Sequence, residues 1–239
     1  MHGSNAAVVD PGDAVPVLAY LQQHGLSLRA ILATHHHNDH IGGINVLLQH
    51  YSVPVYTPKP APQNPVFDFA YSAVKDHDEI VLPELETTLR VLDVPGHTAV
   101  HVAYYGGNSL FCGDTLFGCG CGRIFDGSCE QLYHSLQKLE QLPDHTLVYC
   151  GHEYTLDNID FALSVDPHNQ ALLERQKNSR ELIAQHLPTL PSTMGLEKAT
   201  NPFLRCHMPA LRSATHMDRD VAVFCALREM KNHFNHDVK

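Results

Sequence analysis

The feature that most constrains this chain is the stretch Thr34-His35-His36-His37-Asn38-Asp39-His40. A short apolar run, Ala30-Ile31-Leu32-Ala33, precedes it and reads as a buried strand. Gly42-Gly43 follows, and residues 44–50 then read as a helix. Ligand-type side chains therefore crowd the junction where a strand ends and a helix begins. In extended chain, alternate side chains share a side, so His35 and His37 point together and His36 points away. Asp39 and His40 fall past the turn and suit a neighbouring ion better than the same tetrahedral set. A lone His-x-His is more often a solvated loop, with Asp39 merely capping a helix. A His-x-His-x-Asp-His run backed by matching ligands downstream points instead to a metal.

Those ligands recur at the ends of later strands. His97 sits in Pro95-Gly96-His97-Thr98, Asp114 in Gly113-Asp114-Thr115, and His152 in Gly151-His152-Glu153-Tyr154. Seven donors are too many for one tetrahedral zinc and suit two ions sharing a carboxylate. The assignment is His35, His37 and His97 to one ion, Asp39, His40 and His152 to the other, with Asp114 bridging. Nitrogen and carboxylate donors without thiolates suit zinc first and also tolerate iron or manganese. Two such cations acidify a bound water enough to supply hydroxide at neutral pH, oriented by Asp39 or Asp114. A closed site serving only the fold would leave no coordination position open, whereas this set does. Asp10, at the end of a neighbouring strand, either braces a ligand imidazole or simply makes an Asp-Pro-Gly turn.

Taken in order, residues 6–9 read as a strand ending at Asp10-Pro11-Gly12, and Asp13 caps a helix that Gly25 stops. With the strand 29–34 this makes a β-α-β unit. A strand at 53–56 leads into Pro58-Lys59-Pro60-Ala61-Pro62-Gln63-Asn64-Pro65, too proline-rich for regular structure. Strands follow at 79–82, 88–94, 100–105 and 109–112, the last two joined through Gly106-Gly107-Asn108 as a hairpin. The glycine-rich 116–127 reads as a flexible loop carrying Arg123 toward the site, and Cys119 and Cys121 are too close for a usual zinc pair. Ser128 caps a helix with Leu132, Leu136 and Leu139 on one face, and 146–150 is a further strand. A helix runs through 158–165. Beyond about Asp166 helical patterns dominate, at 169–187 and 220–234, with a Pro- and Gly-interrupted connection through Gly195. The expected organisation is two sheets with helices outside over 1–165 and a small all-helical domain over 166–239.

Composition limits the partners. With 239 residues and a net charge of −10, broad attraction to nucleic acid or an anionic membrane is excluded, so an anionic substrate needs a local set of cations. The 19 His outnumber the 16 Lys plus Arg, in keeping with metal chemistry. No apolar run is long enough to span a membrane and no signal peptide opens the chain, so the expectation is a cytoplasmic monomer. The seven scattered Cys read as reduced thiols.

The form Thr-His-His-His-x-Asp-His-x-Gly-Gly resembles the metallo-β-lactamase superfamily signature, and looks like glyoxalase II, the hydroxyacylglutathione hydrolases. Residues 113–117, 120–123, 150–155, Asn201-Pro202-Phe203-Leu204-Arg205 and 227–231 carry the same resemblance across nearly the whole chain. It implies an α/β fold, a four-layer αββα sandwich with a C-terminal helical domain, and the same two-metal ligand set. It also implies hydrolysis of S-D-lactoylglutathione to glutathione and D-lactate. Arg123, Tyr154, Arg228 and Lys231 would hold the glutathione part, with Phe125 standing where some members have a tyrosine. Without the resemblance, Arg228 and Lys231 read as a solvated helix face. Glyoxalase II proteins usually have an extra strand before the one that ends in Asp-Pro-Gly, and the expectation is that this chain lacks it. A persulfide dioxygenase with a single iron, and a metal-binding protein without turnover, are the alternatives.

Overall fold

The computed structural model describes residues 1–61 and 67–234, so the proline-rich stretch beyond residue 61 falls largely outside the described residues. The chain divides into two units, one of residues 1–93 and 99–113, the other of 94–98 and 114 onward.

In the first unit, β1 (Asn5–Val9), β2 (Ser27–Leu32), β3 (Val55–Pro58) and β4 (Ser72–Val74) form a parallel sheet in that order. Between them run α1 (Ala14–Gln23), the single turn α2 (Asn38–Ile41) and α3 (Ile44–His50). Asp13 caps α1 by accepting from the Val15 amide at 2.9 Å. β2 is apolar on both faces because both are covered. Ile31 and Ala33 pack with Ala14, Leu21, Ile44 and Leu47 of the helices. Ala30 and Leu32 face the other way and pack with Val91, Val102 and Tyr104 of a second sheet. That sheet is antiparallel: β5 (Glu79–Leu82), β6 (Thr87–Asp93), β7 (Val102–Gly106) and β8 (Ser109–Gly113). The β7–β8 hairpin turns at Gly107-Asn108, both left-handed at φ 53° and 60°, as a tight right-twisting turn requires. Fully burying each large apolar side chain of these cores contributes about 1.5–3 kcal/mol. The buried Tyr104 hydroxyl donates to the carbonyls of Ala33 (2.7 Å) and Tyr56 (3.2 Å), tying the ends of β2 and β3 just where the ligand stretch begins.

The second unit starts with a glycine-rich ribbon, β9 (Leu116–Phe117) and β10 (Gly120–Cys121), paired antiparallel. Residues 116–122 are buried, so the expected flexible loop is an ordered, packed element. Its glycines serve close approach: a Cβ on Gly122 would sit 1.9 Å from the Asp114 carbonyl oxygen. The helix α4 (Cys129–Glu140) opens on a full capping box between Ser128 and Gln131 and buries Leu132, Leu136 and Leu139 completely. β11 (Leu147–Cys150) pairs with the short β12 (Ser192–Thr193). Five helices complete the unit: α5 (Thr155–Val165), α6 (Gln170–Ala184), α7 (Met194–Thr200), α8 (Pro209–Thr215) and α9 (Asp220–His233). Gly195 lies inside α7, where the sequence suggested an interruption, because the cap that starts the helix is Thr193. Nor are all seven Cys reduced thiols. Cys129 on α4 and Cys225 on α9 are joined by a disulfide, their Cα atoms 5.8 Å apart, because these two helices pack together.

Candidate metal centre

Each unit holds one part of the ligand set. In the first, His35 and His37 stand in the turn after β2, not on the strand itself, and Asp39 and His40 stand on α2. Two backbone constraints make that turn. Asp10 adopts a left-handed φ of 52°, and a Cβ on Gly12 would sit 2.0 Å from the Asp39 carbonyl oxygen. The Asp10 carboxylate then organises the stretch. It accepts from the Thr34 amide (2.7 Å), from the Thr34 hydroxyl (2.8 Å) and from His40 Nδ1 (2.9 Å). Of the two readings of Asp10, the bracing one is therefore what the structure has. Holding Nδ1–H of His40 leaves its Nε2 as the lone-pair nitrogen, 3.8 Å from Asp39 Oδ2. His35 meets the Thr34 hydroxyl through Nδ1 (3.0 Å) and brings Nε2 to 3.0 Å from His37 Nδ1. His35 is fully buried and also stacks on His101, ring centroids 4.6 Å apart. His101 is a histidine that sequence reading passed over, because nothing about its strand-start position marks it. The Asp39 side chain is 61% exposed, unlike the buried His35 and His40.

In the second unit, His97, Asp114 and His152 converge. Asp114 Oδ2 is 3.6 Å from His97 Nε2 and 3.4 Å from His152 Nε2. His97 is held by a tight turn. Gly96 has a φ of 138°, and a Cβ there would strike the Leu132 backbone of α4 at 2.4 Å, so only glycine fits. Ser135 of α4 donates to the Pro95 carbonyl at 2.6 Å. His97 Nδ1 donates to the Arg123 carbonyl at 2.7 Å, which leaves Nε2 without a proton and facing a carboxylate oxygen. Such a pair is bridged either by a proton on the imidazole or by a metal cation between them. His35 Nε2 and His37 Nδ1, 3.0 Å apart, share a hydrogen bond, and the same two nitrogens are close enough to share an ion in its place. Imidazoles braced on the far nitrogen, facing carboxylate and imidazole across a few ångströms with no thiol among them, fit a divalent ion.

The expected substrate residues fall in the second unit. Arg123 is exposed and follows the ribbon. Phe125 is 63% exposed and sets its ring edge-on to His97, while Tyr154 stacks on His152 and meets Phe117 edge-on. Arg228 is not part of a solvated face. It is buried on α9, donates from Nη1 to the Cys121 carbonyl (2.9 Å) and Gly122 carbonyl (3.4 Å), and lies over the Phe203 ring. Lys231, one turn on, donates to the Asp157 carbonyl at 2.9 Å. Burial, with the Arg228 charge adding to it, lowers its pKa from the ordinary lysine value.

Two family models match the chain: the metallo-beta-lactamase superfamily over residues 2–152 and the hydroxyacylglutathione hydrolase C-terminus over 153–234. A hydroxyacylglutathione hydrolase of Methylobacillus flagellatus is 55% identical over 98% of this chain and 92% of its own length. That of Nitrosomonas europaea is 52% identical over 96% and 88%. Among solved structures, the BLEG-1 B3 metallo-beta-lactamase is 25% identical with a TM-score of 0.62, covering 85% of this chain and 91% of that one. TTHA1623, solved in a di-iron-bound form, is 28% identical with a TM-score of 0.57, covering 82% and 87%.

Proposed function

Because the chain belongs to the hydroxyacylglutathione hydrolases of the metallo-β-lactamase superfamily, we propose that its seven strand-end ligands hold two divalent ions. His35, His37 and His97 hold one, Asp39, His40 and His152 the other, and Asp114 bridges. The reaction is hydrolysis of the thioester S-D-lactoylglutathione to glutathione and D-lactate. The observation that carries the metal reading is Asp114 Oδ2, faced by the Nε2 atoms of both His97 and His152. Two divalent ions, when bound, supply a Lewis acid for the thioester carbonyl and an acidified water at neutral pH.

The protein's own groups do the rest. Asp10 and the Arg123 carbonyl fix the tautomers of His40 and His97, so that both offer Nε2. Asp39, the exposed carboxylate of the set, or Asp114 would orient the attacking hydroxide. No serine or cysteine nucleophile is needed. The two ribbon cysteines are in keeping with this: burial pushes the Cys119 thiol up to about 12 and the Cys121 thiol up to about 11, where neither is a thiolate at neutral pH. Arg228 and Lys231 of a helical substrate-binding region spanning 166–239, with Arg123 and Phe125 after the ribbon and Tyr154 before α5, bind the glutathione part. Arg228 contributes there chiefly by fixing the ribbon backbone, and Lys231 and Arg123 by charge. Zinc suits the nitrogen and carboxylate donors, and iron is supported by the di-iron form of TTHA1623. No helix among the described residues is long and apolar enough to cross a membrane. With a net charge of −10, we propose a cytoplasmic monomer with a small-molecule partner and no nucleic-acid or membrane binding.

The test pairs elemental analysis with an S-lactoylglutathione assay on one sample. Two metals per chain and thioesterase activity that chelation abolishes are expected. A plateau at one metal overturns the binuclear assignment, and oxygen uptake with glutathione persulfide in place of hydrolysis overturns the reaction.

A further inference from the structure

The ribbon β9–β10 is what links Asp114 to Arg123, and its tip is gripped from below by a buried carboxylate that the chemistry described so far does not use. Glu197, on α7, is completely buried. Its Oε2 accepts from the Cys119 amide (2.8 Å) and from Asn201 Nδ2 (3.0 Å). Its Oε1 accepts from Arg175 Nη2 and from the Ser192 hydroxyl, both at 2.5 Å. Asn201 Nδ2 reaches on to the Gly120 carbonyl (2.9 Å), and Asn158 Nδ2 donates to the Gly118 carbonyl (3.0 Å). Cys119 is a non-glycine residue held at φ 57°, a conformation that needs outside support. The ribbon has no slack at its ends. Gly120 fits only because it lacks a Cβ that would meet Asn158 at 2.4 Å, and Gly122 packs on the Asp114 carbonyl with His97 Nδ1 next to it. Directly after Gly122 comes the Arg123 carbonyl that fixes the His97 tautomer.

We infer that Glu197 is a positioning residue for the metal centre and the Arg123 cation, acting through the ribbon. This rests on the proposed metal role of His97 and Asp114. Four donors converge on two oxygens, so the position accepts only a carboxylate. An amide isostere must turn its NH2 toward one pair of donors. The oxygen stays with the Arg175 guanidinium, since a buried cation facing an NH2 is the costlier arrangement. The NH2 then faces the Cys119 amide and Asn201, and the ribbon tip loses its anchor while the Arg175 side of the helical region keeps its own.

The experiment is Glu197→Gln, with Lys198→Ala as a control on the same helix, because Lys198 bonds, among the described residues, to Asp144 and the Leu142 carbonyl, away from the ribbon. Expected are faster deuterium uptake at the backbone of 116–122, metal affinity lower by roughly tenfold to a hundredfold, as for other groups that brace metal ligands, and a higher KM. Lys198→Ala should match wild type in all three. Wild-type metal affinity and KM in Glu197→Gln, with or without a looser ribbon, overturn the inference. If Glu197→Gln does not fold, Asn158→Ala, which removes the grip on the Gly118 carbonyl and the side chain packed on Gly120, must show the same pattern or the inference fails. A wild-type protein that binds no metal refutes the metal reading itself, which is a separate result.

Discussion

The Asp10 carboxylate offers the sharpest single perturbation. Its two oxygens receive three donors, and in Asp10→Asn one oxygen becomes an NH2. The amide oxygen keeps the Thr34 amide, which leaves the NH2 facing the Thr34 hydroxyl and His40 Nδ1. The hydroxyl rotates and accepts. His40 has no such freedom: to meet a donor at Nδ1 it must move its proton to Nε2, the nitrogen assigned to the metal. The substitution is nearly isosteric, so packing is kept and the tautomer is reversed. Losing such a brace lowers metal affinity by roughly 10–100-fold, or about 1.4–2.8 kcal/mol at 1.4 kcal/mol per tenfold. The weakened ion should be the one given to Asp39, His40 and His152. Competition with a graded series of chelators, followed by elemental analysis, should show one ion lost early and the other retained longer than in Asp10→Ala. In Asp10→Ala both Thr34 donors also lose their acceptor, at about 1–3 kcal/mol each. Two ions held at wild-type affinity by Asp10→Asn would refute the tautomer argument.

Other outcomes follow from the same geometry. Asp114→Ala should weaken both ions together, checked by metal content, since its carboxylate faces His97 and His152 at once. Thiol titration after denaturation should count five free cysteines without reductant and seven with it. In the native protein at neutral pH, alkylation should be slow, because burial pushes Cys119 and Cys150 up to about 12 and Cys121 up to about 11. Lys231→Ala should raise KM for S-lactoylglutathione with little loss of kcat, by about tenfold for a charge-assisted hydrogen bond of roughly 1.5 kcal/mol, and leave a small thioester unaffected. The lowered pKa of Lys231 also sets a direction with pH. The charged form is disfavoured in the folded state, a cost that is full below the folded pKa and fades as pH rises through it toward the unfolded value. KM should rise over that same alkaline range, before an ordinary lysine titrates, and should stay flat there in Lys231→Ala.

The ligand stretch was legible because its signal is local. A strand of known periodicity, a turn and ligand types at short spacing can all be read within about twenty residues, and α3 and β5 fall where the pattern puts them. What sequence could not show depends on pairs far apart in the chain. Tyr104 bonds carbonyls 71 and 48 residues away, Glu197 grips an amide 78 residues away, and Cys225 meets a cysteine 96 residues away. Residues 116–127 read as flexible for the same reason. A glycine-rich stretch looks loose when its neighbours are unknown, yet here each glycine marks where another backbone or side chain presses in.

Arg228 shows how far the two kinds of information differ. Its helical spacing from Lys231 put both on one face, which is correct, and surface statistics then made that face solvent-facing. Instead the guanidinium is buried and spends its donors on the Cys121 and Gly122 carbonyls. Glu197 and Asn201 hold the amide and carbonyl at the ribbon's tip, and Arg228 holds its outgoing strand. Three side chains from α7 to α9 thus fix the backbone that runs from Asp114 to the carbonyl bracing His97. On the proposed assignment of ligands and substrate residues, the helical region would have a second role beside substrate binding: it would set the position of the proposed metal ligands through a ribbon that contributes no ligand between its first and last residues. Arg228→Ala should therefore differ from Lys231→Ala in kind. It should raise KM and also loosen 116–122 and lower metal affinity, whereas Lys231→Ala raises KM alone. Identical behaviour of the two variants in deuterium uptake and metal content would show that Arg228 acts only on substrate.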